Sequence, residues 1–134
     1  SNSLGNTLLP AFIPWVENET VSPGSVSVSS SRMKLASTTA GRDAAFVDLS
    51  QLDGYRQIFA DSDTTLVWAF NMRQTRADPS GHDNNNYGLA FILGKSTQDI
   101  ASGNGYAVVL GQSGSTDAIR IARFTGGISR VSAI

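Results

Sequence analysis

The sequence predicts an all-β protein, antiparallel and arranged as a two-sheet sandwich. Three observations carry that expectation. Short runs of apolar–polar alternation recur between turn residues, and no stretch has the spacing of an amphipathic helix. Ser, Thr, Asn and Gly make up 49 of the 134 residues, whereas charged residues are only 16%, against about a quarter in ordinary soluble domains. Hydrophobic content is 40% and the net charge is -1, a balance that excludes disorder driven by low hydrophobicity and high charge. A helix bundle would need Ala, Glu, Lys and Leu in quantity, and these are not in excess.

The elements follow in order. Residues 1–24 carry Pro10, Pro14 and Pro23 around the apolar residues Leu8, Leu9, Phe12, Ile13 and Trp15. Proline lacks the N–H that a central strand needs, so this stretch reads as an irregular edge segment. Residues 25–134 read as the β-sandwich domain, single or part of a larger one. Val26–Ser29 and Arg32–Ser37 alternate with period two, and Ala45–Leu49 is a further short strand. Residues 50–60 are compatible with a short helical turn or an irregular strand. Thr64–Met72 holds Leu66, Trp68, Phe70 and Met72 on one parity and Val67 and Ala69 on the other, which predicts a central strand with apolar character on both faces. Residues 73–86 form a polar loop longer than the usual connection of about four to six residues. Three strands then follow, Tyr87–Leu93, Gly105–Leu110 and Ala118–Phe124, with Gly/Ser turns between them.

Composition also limits the chemistry. Ten basic residues face eleven acidic ones without a run of either sign, so no phosphate-tracking surface and no nucleic-acid partner is expected. Without cysteine there is no disulfide framework, thiolate metal site or thiol nucleophile. No apolar run approaches the roughly 18 residues that span a bilayer, so membrane insertion is not expected. The opening Ser1-Asn2-Ser3 has no initiator Met and suggests a processed or excised chain.

The run Asn86-Tyr87-Gly88-Leu89-Ala90-Phe91-Ile92-Leu93 resembles the "DGLAFFL"-type strand of concanavalin A-like lectin/glucanase domains. The order of strands around it, across about residues 25–125, looks like a subgroup of these domains found in large secreted bacterial surface proteins. The resemblance implies a jelly-roll sandwich, a secreted or cell-surface location, other domains of a larger parent protein as partners, and a non-catalytic carbohydrate-binding or adhesion role. Two departures matter. Tyr87 stands where legume-type lectins carry the Asp that helps hold sugar and calcium, so that site does not transfer. The paired acidic motif of the glucanases is missing, since the only glutamates are Glu17 and Glu19. The family fold is commonly longer than this chain, which implies a minimal version or one truncated at its C-terminus.

Each candidate constellation has a plainer competitor. Asp61 and Asp63 could act as a carboxylate pair, but a polar turn explains them better. In the long loop, Asp78, Asp83 and Asn84 offer the oxygen ligands of a structural calcium; the spacing is not that of a hand-type loop, and a solvated Asn-rich loop is the competing account. Any Ser-His-Asp triad would have to use His82, the one histidine, and no nucleophile elbow accompanies it. The Gly-rich turns at 103–105 and 111–114 open no helix and carry no phosphate-loop lysine. No catalytic residue is therefore assigned. For glycan binding the candidates are Arg73, Arg76, Asn86, Tyr87 and Tyr106, aromatic faces to stack on a sugar ring with planar polar groups to hold its hydroxyls. A structural or protein-interaction domain without a glycan ligand is the alternative, favoured by an exposed apolar sheet face; a glycoside hydrolase-related domain is a third reading. Arg120 and Arg123 fall on opposite faces of their strand, one expected toward solvent and the other at an edge.

Overall fold

A computed structural model describes residues 15–19, 25–36, 43–51, 63, 65–75, 88–111, 118–128 and 132–133. Among these the protein is all-β, its ladders are antiparallel, and there is no α-helix. The chain divides into two compact units, residues 1–66 and 67–134.

In the first unit, β1 (Val16–Glu19) pairs with β4 (Asp43–Phe46), and β2 (Val26–Ser29) pairs with β3 (Arg32–Leu35). β1 lies within the Pro-containing leader, in the interval between Pro14 and Pro23 where no proline interrupts the ladder. β4 begins two residues before the expected strand. The β2–β3 hairpin puts Val26, Val28, Met33 and Leu35 on one face and Ser27 and Lys34 on the other. Val26 is fully buried, and Ala36 N–H donates to Ser25 O at 2.8 Å, extending the ladder by one pair. A single turn of 3-10 helix at Leu49–Gln51 is capped by Asp48, whose Oδ1 accepts from Ser50 N–H at 3.0 Å and Ser50 Oγ–H at 2.6 Å.

The hairpin turn is Ser30-Ser31, with φ of 52° and 59°. Two positive φ values match the twist of a tight hairpin, but glycine or asparagine adopts them with less strain than serine. Ser31→Gly should therefore raise stability by about 0.5–1 kcal/mol, read as a higher midpoint in urea with an unchanged slope.

In the second unit, β5 (Leu89–Lys95), β6 (Gly105–Leu110), β7 (Ile119–Phe124) and β8 (Ser132–Ala133) form a meander in spatial order β5-β6-β7-β8. The register shifts between Ile92 and Gly94, a bulge that leaves Leu93 unmatched. Directly opposed residues share a face, so Ala107, Val109, Ala122 and Phe124 line one side. All four are buried, and together with Ile128 they form the core, against which Ala90, Ile92 and Ile100 pack.

The run expected as a central strand behaves differently. Along 67–75, Trp68, Phe70, Met72 and Gln74 are half-buried while the residues between them are exposed, so the period of two is kept. No ladder partner for it is found among the described residues. Its aromatics go to a ring cluster instead. Phe70 stacks on Phe91 with centroids 3.9 Å apart and planes 11° from parallel, and Trp68 meets the same ring edge-on at 6.1 Å.

Candidate functional site

The outer face of the four-stranded sheet is the surface of interest. The register sets Phe91, Val108 and Ile121 in one row, Leu89, Leu110 and Ile119 in the next, and Tyr106 opposite Arg123. At the β5 side, the Trp68–Phe70–Phe91 cluster covers the sheet. Toward β7 it is open: Tyr106 is 51% exposed, Ile121 57% and Ile119 72%. Burial of such side chains is worth about 1.5–3 kcal/mol each, so three of them left in water on one face form a contiguous apolar strip of the kind that marks an interaction surface.

Polar groups rim this strip. Arg123 is exposed beside Tyr106. Arg120, on the opposite face, is half-buried and donates from Nε to the Gly111 carbonyl at 3.1 Å. The two arginines therefore divide as the odd spacing requires. Of the expected glycan residues, Tyr106 stands on the open face. Arg73 is exposed, on the opposite parity of its run from Phe70 and Met72. Arg76, Asn86 and Tyr87 lie outside the described residues, as do the calcium candidates Asp78, Asp83 and Asn84. Ile119 and Ile121 were not singled out by sequence reasoning. The signal was the alternation Ile119-Arg120-Ile121, which shows that two isoleucines share a face without showing that this face is the wet one.

The turn between β5 and β6 is built around a half-buried cation of the chain's own. Lys95 Nζ donates to Thr97 O at 3.1 Å and Thr97 Oγ1 at 2.9 Å, and also to the carbonyls of Asp99 and Ser102. Asp99 Oδ1 accepts from Ala101 N–H at 2.9 Å. That backbone bond, with help from the Ser102 hydroxyl and the Lys95 charge, holds the Asp99 carboxyl below its ordinary range. Burial pulls the Lys95 ammonium down, partly offset by Asp99. Gly127 N–H donates to Gly103 O at 2.8 Å and Ile128 N–H to Ile100 O at 3.3 Å, so the turn after β7 is tied to the same assembly. These oxygens are spent on hydrogen bonds within the loop itself.

Among the described residues no group of three or more acidic, histidine or cysteine side chains gathers as a metal centre would require, and no helix is long and apolar enough to cross a membrane. The fold thus defines the class as an antiparallel all-β protein with an open apolar sheet face. No protein-family model, curated protein or solved structure matches the chain.

Proposed function

We propose that this chain is a non-catalytic interaction module that binds a protein surface through the outer face of β6 and β7. The observation that carries the reading is the exposure of Ile119, Ile121 and Tyr106 on one face of a sheet whose other face carries the buried core residues Ala107, Val109, Ala122 and Phe124. Aliphatic side chains offer neither the flat aromatic face nor the hydrogen bonds a sugar needs, but they suit the apolar centre of a protein interface, with Arg123 at its rim. The antiparallel meander supports reading the whole as a jelly-roll sandwich of concanavalin A-like type, and the resemblance supports a secreted or cell-surface location within a larger parent protein.

A photo-crosslinking amino acid at position 119 or 121, in the parent protein in its native setting, should give adducts with a protein or with a neighbouring domain, whereas one at Thr125 should not. Absence of adducts from both strip positions, with the fold intact, would remove the proposal.

Carbohydrate binding remains the second reading, favoured by Tyr106 standing directly across from Arg123: a ring to stack on and a planar donor for hydroxyls. Glycan-array binding abolished by Tyr106→Ala but untouched by Ile119→Ser would select it.

A further inference from the structure

Four oxygens converge on one point in the turn between β5 and β6. Lys95 Nζ has Thr97 O at 3.1 Å and Thr97 Oγ1 at 2.9 Å, and it donates as well to the carbonyls of Asp99 and Ser102. An ammonium carries three donors, so four acceptors around it form a coordination shell instead of a set of one-to-one hydrogen bonds. Three of the four are backbone carbonyls. Their dipoles repel one another when aimed at a common point, and a cation at that point turns repulsion into attraction, as when carbonyl oxygens replace the hydration shell of a potassium ion. Bonds that do not involve Lys95 hold the chain in this shape. Ser102 N–H donates to Asp99 O at 3.2 Å and Ser96 N–H to Asn104 O at 3.0 Å, while Asn104 N–H donates to Ser96 Oγ at 2.9 Å. The loop closes tightly on its own centre, since a Cβ at Gly103 would lie 2.7 Å from Thr97 Oγ1. Beside the shell, the Asp99 carboxylate adds a negative charge that favours a cation.

We propose that this turn is a binding site for a monovalent cation of potassium or ammonium size, and that the chain fills it from within through Lys95. The donors are oxygens only, without the imidazole or thiolate that would favour a transition metal. The Thr97 separations exceed the distances of about 2.3–2.6 Å that calcium takes and about 2.0–2.1 Å that magnesium takes. All four donors are neutral, which suits a single charge better than a double one. Tethering makes occupancy intramolecular, so the ammonium holds the site ahead of free ions. The site organises more than its own loop. Gly127 N–H bonds to Gly103 O and Ile128 N–H to Ile100 O, and Ile128 is part of the buried core. Occupancy therefore also fixes the chain after β7, and an empty site loosens that end of the sheet.

Lys95→Ala removes the tethered cation and keeps the oxygens. In tetramethylammonium chloride, free of smaller cations, this variant should melt about 5 °C or more below the wild type. Potassium or methylammonium chloride at the same ionic strength should restore most of that loss, and the wild type should melt equally in all three salts. Lys95→Met, which keeps bulk without charge, should melt low in every salt. The wild type is tested directly by NMR of its two lysine ammonium groups: the protons of Lys95 should exchange with water about tenfold more slowly than those of Lys34, or slower still, because Lys34 is exposed. That measurement decides if Lys95→Ala does not fold in any salt. Equal exchange at the two lysines overturns the proposal. So does a Lys95→Ala variant that melts with the wild type, or one that folds but gains nothing from either small cation.

Discussion

Phe124→Ala should be the most damaging single truncation in the second unit, at about 3–5 kcal/mol. Phe124 is 1% exposed and is one of the largest fully buried side chains described. Its neighbours on the inner face include Ala107 and Ala122, and its cross-strand partner is Gly105. These residues are small because the ring occupies their space, so none can swing into the hole left by alanine. The penalty therefore combines lost transfer energy with an uncollapsed cavity. Against a total stability of about 5–15 kcal/mol, that is a large share of the margin. Denaturant titration should show a much lower midpoint, and a change under 1 kcal/mol would show that Phe124 is not the keystone of this core.

Gly105→Ala should cost about 2–3 kcal/mol for the converse reason, overpacking. A Cβ at Gly105 would come within 2.6 Å of Phe124 Cζ and 3.1 Å of its Cε1, and would overlap the carbonyl oxygen of Gly94. The ring can tilt away, but the carbonyl belongs to the β5 bulge and is held by the ladder. The two substitutions share one contact and so should not be additive. In the Phe124→Ala background, Gly105→Ala should cost measurably less than in the wild type, with a coupling within about 0.5–3 kcal/mol. Additive costs in a double-mutant cycle would mean that Gly94 O alone forbids the side chain.

Much of the fold was legible because alternation and turn chemistry are local. Val26–Ser29, Gly105–Leu110 and the β7 strand emerge where the period of two and the flanking Gly/Ser turns place them. The run around Trp68 shows the limit of that logic. Its burial alternates as expected, but alternation reports only which side chains turn inward. Hydrogen-bond partners come from elsewhere in the chain, and here Trp68 and Phe70 are committed to the Phe91 ring. In the candidate binding face, Tyr106 was legible as an aromatic at a strand start. Ile119 and Ile121 were not, since two β-branched residues on one parity read naturally as core.

By itself, then, the sequence determined the class: β-formers alternating between uncharged turn residues allow little besides antiparallel sheet. It also excluded thiol chemistry outright. Tertiary structure decided which face of β7 is inside. Phe124 fits over Gly105 across the ladder, and that match buries the parity of Ala122 and Phe124 and leaves the isoleucines in water. It likewise brought Glu19 opposite Asp43, a meeting of residues 24 positions apart. The physical reason is common to both. A strand's period is set by its own backbone, whereas its register and its buried face are set by the strand it pairs with.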